Sequence, residues 1–156
     1  MLQVPVRYID PSVYPEGLKR PDKRNNWIDL RSRIDLDIVT GTSAKIPLGI
    51  AMKLPEGYEI ILAPRSSTFE KWGIIQTNSI GVIDESYCGD NDEILLPVFS
   101  LWHNDHDVNG RRISRIKKGD RICQFRIIGH QPDADFIPTE HLSDVDRGGF
   151  GTSGMN

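Results

Sequence analysis

Apolar residues recur at every second position along much of this chain. Ile34, Leu36 and Ile38 alternate with Arg33, Asp35 and Asp37, and Ile46, Leu48, Ile50, Met52 and Leu54 continue at the same spacing. Period two sends successive side chains to opposite faces, so the pattern predicts half-buried strands. Pro55-Glu56-Gly57 reads as a tight turn into a strand carrying Tyr58, Ile60 and Leu62, and Lys118-Gly119-Asp120 as another into Ile122 to Ile128. Ile94 to Trp102 supplies a further strand. A single short helix is predicted, with Ser66 or Ser67 as N-cap, Thr68 to Trp72 as its body and Gly73 as its stop. Many short strands punctuated by Gly and Pro predict an all-β sandwich or closed barrel, because such sheets must hide their edges.

Length and charge narrow the function classes. A chain of 156 residues suits one compact domain with its own core. Its 19 basic and 22 acidic residues are interspersed and the net charge is only −3, which argues against stable nucleic-acid binding or an anionic membrane partner. No stretch approaches the roughly 20 apolar residues that cross a bilayer. Cys88 and Cys123 lie far apart without metal-ligand spacing, and the N-terminus lacks the apolar run of a signal peptide, so a cytoplasmic protein with reduced thiols is expected. His103 and His106 lack companion ligands for a metal. Two segments leave the strand pattern: the polar stretch from His103 to Arg112, read as a loop, and the chain from Gln131 onward, read as an arm ending in a Gly-rich tail.

Five polar or Gly-rich segments could carry chemistry. Pro64-Arg65-Ser66-Ser67 precedes the helix, where backbone N–H groups, two hydroxyls and a guanidinium would suit a phosphate. Alone, it reads equally as two capping serines and an arginine in a surface ion pair. Asn78-Ser79-Ile80-Gly81-Val82-Ile83-Asp84-Glu85-Ser86-Tyr87-Cys88-Gly89 reads as a hairpin with solvated acids. In it Asp84, ionised at neutral pH, could accept a proton from an attacking water. Asn25-Asn26-Trp27-Ile28-Asp29-Leu30-Arg31 and Gly119-Asp120-Arg121-Ile122-Cys123-Gln124 each place a polar side chain in a strand context. Arg147-Gly148-Gly149-Phe150-Gly151-Thr152-Ser153-Gly154 sets one arginine and one aromatic among glycines. No nucleophile elbow or phosphate loop is present, so covalent catalysis is not indicated.

In this order the five segments resemble the five motifs of the trimeric dUTPases, including the forms of Bacillus and its phages. The resemblance spans most of the chain. It implies an all-β distorted jelly-roll barrel with one short helix, residues 1–130 forming the barrel and 131–156 an arm that closes over an active site of a neighbouring subunit in a homotrimer. It implies a dUTP diphosphatase that hydrolyses dUTP to dUMP and pyrophosphate by Mg²⁺-assisted attack of water on the α-phosphate, limiting uracil in DNA and supplying dUMP for dTMP synthesis. Asp84 would be the general base. Arg65, Ser66, Ser67 and Gln124 would hold phosphates. Asn78, Gly81 and Ile83 would read uracil, leaving no room for a thymine methyl and refusing the cytosine amine, while Tyr87 would lie under the deoxyribose. Phe150 with Gly151 would cover the base, and Arg147, Thr152 and Ser153 would grip the γ-phosphate. Asp29 would serve Mg²⁺ through water.

The chain departs from the family pattern in four places. Ser67 stands where Gly is common and Cys123 where Ala is common. Trp27-Ile28 interrupts the usual Ala-Gly-Tyr-Asp-Leu, so only Asp29 carries over, in preference to Asp35. The arm is two residues shorter between Arg147 and Gly148-Gly149-Phe150. Two rivals accompany this reading: a dCTP deaminase on the same fold, with Glu85 as the conceivable catalytic acid, and a nucleotide-binding regulator that grips a partner protein, with residues 103–112 as its surface.

Overall fold

The computed structural model describes residues 2–19 and 24–146. Among them run β1 (Val6–Tyr8), β2 (Ile28–Arg31), β3 (Leu36–Val39), β4 (Ser43–Pro47), β5 (Ile50–Met52), β6 (Tyr58–Pro64), α1 (Thr68–Trp72), β7 (Ile74–Gln76), β8 (Gly81–Ile83), β9 (Leu95–Ser100), β10 (Asp105–His106), β11 (Arg112–Ile116) and β12 (Arg121–Gly129), with a 3-10 turn at Pro11–Val13. All pairings are antiparallel, in four small sheets ordered β1-β5, β10-β11-β3, β2-β12-β6-β8 and β4-β9-β7. The sheets enclose one core, to which Leu30, Ile46, Leu48, Ile60, Leu62, Leu96, Ile122 and Phe125 contribute. Each such side chain, fully buried, stabilises the fold by about 1.5–3 kcal/mol. The result is the expected distorted jelly roll with one short helix.

The alternating pattern holds in β4 and β6 but not in β5, where Ile50, Ala51 and Met52 are all buried. The chain bends at Leu48-Gly49, and β5 joins β1 in another sheet while Ile94 N–H donates to Ile50 C=O at 2.9 Å. The expected half-buried strand is therefore fully buried. Above it, Tyr14 is buried in the N-terminal segment; its hydroxyl donates to Leu48 C=O at 2.7 Å and accepts from Arg31 N–H at 2.9 Å. Tyr14→Phe strands both backbone groups, at about 1–3 kcal/mol. A thermal melt should show the midpoint falling by roughly 3–10 °C.

The helix starts and stops as predicted, yet the Ser67 side chain makes no capping bond. Thr68 instead ties the start of the helix to its surroundings, its Oγ1 accepting from Arg65 N–H and donating to Ile122 C=O, both at 2.9 Å. Gly73 ends α1 at φ 61°, and a Cβ there would lie 1.4 Å from the Trp102 carbonyl oxygen. Only glycine fits.

Segment 78–89 is not the self-paired hairpin its sequence suggests. β7 pairs with β9 and β8 with β6, and after β8 the chain makes successive turns, Tyr87 N–H donating to Asp84 C=O and Asp92 N–H to Gly89 C=O. Residues 103–112, expected as a loop, include the β10–β11 hairpin. Its turn is tied by Asp107, which accepts from the N–H groups of Asn109 and Arg111 at 2.9 Å and from Arg111 Nε at 2.7 Å. Residues 131–146 form no strand or helix, and Phe136, Ile137, Leu142 and Val145 are almost wholly exposed. No helix among the described residues is long and apolar enough to cross a membrane.

Candidate active site

The β2-β12-β6-β8 sheet builds two clusters at opposite ends of β6. At the first, register sets Asp29 opposite Gln124 and Gln124 opposite Ala63. Arg65 leaves the end of β6 and turns back over the sheet, Nε donating to Asp29 Oδ1 at 2.8 Å and Nη1 to Arg121 C=O at 3.3 Å. Arg121 Nη1 reaches Asp29 Oδ2 at 3.3 Å, and Gln124 Nε2 donates to Pro64 C=O at 3.1 Å. Among the described residues, nothing bonds the hydroxyls or N–H groups of Ser66 and Ser67, which lie beside this cluster. Asp35, the rejected alternative to Asp29, lies instead in the turn before β3 and accepts from Lys118 N–H at 2.8 Å. Cys123 is buried, and burial pushes its thiol far above the ordinary range, so it stays an unreactive thiol.

Sequence reasoning missed three cations here. Arg31, Lys71 and Arg121 join Arg65 around a cavity of about 230 Å³, closed by Trp72, Gly119 and Asp120. Arg31 Nη1 is fixed to Gly119 C=O at 2.7 Å. Excess positive charge around so polar a hollow favours a multiply charged anion. Arg31 and Arg121 sat within segments singled out on sequence but were given no role there; strand pairing sets them opposite each other, and Lys71 meets them from the end of α1.

At the second cluster, β8 is an edge strand, with one backbone edge on β6 and the other open. An open edge offers alternating N–H and C=O groups to a planar, hydrogen-bonding ligand. Two cavities flank it. One of about 210 Å³ is lined by Asn78, Gly81, Ile83 and Lys45, and one of about 290 Å³ by Ile83, Asp84, Tyr87 and Leu95. Gly81 packs closely: a Cβ there would lie 3.0 Å from Leu62 Cβ, and β6 would have to give by a few tenths of an ångström. Tyr87 is held by its hydroxyl, which donates to Glu93 C=O at 3.0 Å, and Glu93 is itself gripped by Arg33 through two bonds of 2.8 and 3.0 Å.

Asp84 lies exposed at the mouth of the second cavity. Its Oδ1 accepts from the Ser86 hydroxyl and, at 2.9 Å, from Ser86 N–H. These bonds, the hydroxyl first, hold its carboxyl below the usual carboxylate range. Among the described residues no donor reaches Oδ2, which is left to accept from water. Glu85 turns the other way and accepts from Gly57 N–H at 2.6 Å.

Asp29, Arg65 and Gln124 thus converge, as do Asn78, Gly81, Ile83, Asp84 and Tyr87, but the two groups do not meet. Ile60 pairs with Ile83, which sets Asp84 beside Glu59, six residues before Arg65 along β6. At about 3.3 Å per residue that is roughly 20 Å. Arg147, Phe150, Gly151, Thr152 and Ser153 lie outside the described residues. No group of three His, Cys, Asp or Glu side chains able to hold a metal occurs among the described residues, and Asp29 is the carboxylate that Arg65 and Arg121 share.

Comparison with known proteins accords with this geometry. The family model for dUTPase matches residues 23–154. The chain is 46% identical over 155 residues to an SPbeta prophage-derived deoxyuridine 5'-triphosphate nucleotidohydrolase of Bacillus subtilis, covering 98% of this chain and 99% of that one. It is 37% identical over 134 residues to a deoxyuridine 5'-triphosphate nucleotidohydrolase of Finegoldia magna, covering 83% and 85%. Among solved structures, a Staphylococcus bacteriophage 80alpha dUTPase with dUPNHPP superposes at a TM-score of 0.73 with 22% identity over 97% of this chain and 98% of that one; of such proteins it is stated that phage dUTPases control transfer of virulence genes. A dUTPase from phage phi11 of S. aureus, studied for its coordination of a structural Mg(II) ion, superposes at 0.70 with 20% identity over 90% and 98%. Matched along almost its whole length both as a sequence and as a fold, the chain belongs to the dUTPase family.

Proposed function

We infer that this protein is a dUTP diphosphatase that hydrolyses dUTP to dUMP and pyrophosphate, removing the precursor of uracil in DNA and supplying dUMP for dTMP synthesis. The observation that carries the reading is the division of the family's motifs between a cation-rich cluster and an open strand edge. Arg65, Ser66, Ser67 and Gln124 hold the phosphates, with Arg31, Lys71 and Arg121 adding positive charge behind them. Uracil meets the edge of β8 at Asn78, Gly81 and Ile83, and Tyr87 underlies the deoxyribose. Water attacks the α-phosphorus, its proton passes to Asp84 Oδ2, and the bond from the α-phosphorus to the bridging oxygen breaks to release pyrophosphate.

The phosphate cluster fits Mg²⁺, which keeps several waters and prefers phosphate oxygens to an all-protein cage. Asp29 would hold it through water. When bound, the ion supplies charge neutralisation along the triphosphate.

Asp84 and Arg65 must both serve the α-phosphate, yet roughly 20 Å of strand separates them. A hydrogen bond, even through one water, cannot span that distance. The active site is therefore shared: Asp84 of one copy faces Arg65 of another in a homotrimer. The unpartnered apolar side chains of 131–146 support the same reading, with 1–130 as the barrel and 131–156 as an arm that crosses to a neighbour, where Arg147, Phe150, Gly151, Thr152 and Ser153 close over the nucleotide.

The β10–β11 hairpin supports a second role that can coexist with turnover, contact with a regulatory protein. Val108 at its tip is fully exposed, and the turn is stabilised by its own residues. Deleting residues 103–112, with the buried remainder of β11 kept on β3, spares turnover on this reading; lost activity in an intact trimer would place the segment in the active site instead. The enzyme itself is tested by pyrophosphate release from dUTP, dCTP, dTTP and UTP with Mg²⁺. Turnover confined to dUTP is expected, and ammonia from dCTP would mean a deaminase.

A further inference from the structure

Gln76 is a costly residue for its place. It ends β7 with only 8% of its surface exposed, directly beneath Gly81, and among the described residues its Oε1 is buried without a partner. An apolar side chain there would leave nothing unsatisfied, so the polarity asks for a reason. Its other amide atom supplies one. Nε2 donates both to Leu62 C=O at 3.2 Å and to Asn78 Oδ1 at 2.8 Å.

The chain of donors and acceptors allows one arrangement. A backbone carbonyl can only accept, so the Gln76 atom facing Leu62 is the nitrogen. That same nitrogen faces Asn78, so the Asn78 atom facing it is the oxygen. Asn78 is left to present its two Nδ2 donors elsewhere, and it lines the cavity beside the open edge of β8. The orientation of an exposed amide is thus dictated by a buried carbonyl two side chains away.

We propose that Gln76 is a specificity-determining positioning residue: by locking the Asn78 amide with its donors toward the base, it makes the site accept the O4 carbonyl of uracil and refuse the 4-amino group of cytosine. This rests on the reading above, in which Asn78 meets the pyrimidine. A donor facing O4 forms a hydrogen bond; facing an amine it leaves two buried donors opposed, the arrangement that discriminates most strongly between bases of equal size. The same lock explains the stranded Oε1, since turning it inward would turn Asn78 around.

The test compares kcat/KM for dUTP and dCTP, by pyrophosphate release, in wild type, Gln76→Met and Gln76→Glu. Methionine fills the space but frees Asn78 to rotate, and the dUTP preference should fall by about tenfold as one base-edge hydrogen bond loses its direction. Glutamate offers only acceptors, draws Asn78 Nδ2 inward and turns Asn78 Oδ1 outward. The preference should fall further, by a rise for dCTP as well as a loss for dUTP. A merely structural role would depress both substrates alike; an unchanged ratio in folded variants overturns the proposal. Should either variant fail to fold, Asn78→Asp at the exposed end of the chain of bonds tests the same orientation, because it presents an acceptor whatever Gln76 does. Its unchanged ratio would likewise overturn it. A wild type without dUTP turnover would instead sink the functional reading itself.

Discussion

Asp84→Asn should lower turnover of dUTP by roughly a thousandfold, within the range that a positioned general base contributes, while leaving affinity for a non-hydrolysable dUTP analogue within a few-fold of wild type. The substitution keeps the shape of the side chain and the oxygen that accepts from Ser86, and removes only the capacity to take a proton. Single-turnover kinetics and equilibrium binding, measured side by side, check it. Lost affinity would assign Asp84 to holding substrate rather than to activating water.

The pH profile sharpens this prediction. Because the Ser86 hydroxyl and N–H stabilise the ionised form, the carboxyl of Asp84 titrates below its ordinary value of 3.8. The group is thus already a base at every pH above about 5, and its acid limb in kcat should lie below that of an unperturbed aspartate. It should contribute no slope between neutral and mildly acid pH. Ser86→Ala removes the hydroxyl whose bond lowers the carboxyl most and should move the limb upward, toward 3.8. His130 acts on Asp84 in the same direction as Ser86 and remains in that variant. A low-pKa carboxylate is a weak base, so the geometry has to compensate: Oδ1 is fixed by Ser86, and among the described residues Oδ2 alone is left without a side-chain donor.

What the sequence revealed of the fold followed from local rules. Alternation around Ile46 and along Tyr58 to Leu62 showed real strands, and Gly73 marked the end of α1 because no other residue tolerates its backbone and its contact with Trp102. Local rules failed where pairing is long-range. Residues 78–89 read as one hairpin, but β8 is claimed by β6 and the chain beyond it runs through successive turns. Arg31, Lys71 and Arg121 are distant in sequence and surround one cavity only because β12 lies beside β2 and Thr68 at the start of α1 is bonded to Ile122 of β12. Gln76 carries no local signal; its burial, and hence its bonding problem, exists only once Gly81 closes over it. Glu85, which sequence alone left open as an acid for deamination, is spent on Gly57 N–H.

The separation of Asp84 from Arg65 yields the second large effect, a rescue. Arg65→Ala alone should be nearly inactive, because the guanidinium that spans Asp29 and the Arg121 carbonyl is lost from the phosphate side. Asp84→Asn alone should be nearly inactive for the reason above. Coexpressed with different tags and purified through both, the two defective chains should recover activity, since a trimer can pair an intact Asp84 from one chain with an intact Arg65 from the other. In a cyclic trimer that carries both tags, one site in three, about a third of the sites, draws both intact residues, one from each of two neighbouring chains. Recovery near that fraction of wild-type turnover is expected, with KM for dUTP returned to the wild-type value because each repaired site is complete. No recovery in a proven mixed trimer would mean that both residues serve within one chain, and then the antiparallel register of β6 and β8 would have to differ from that described. A chain ending at Asp146 extends the scheme to the arm. It should be inactive alone yet support turnover in mixtures with an Asp84→Asn chain, whose own arm is intact and can cross to the site that the truncated chain leaves uncovered.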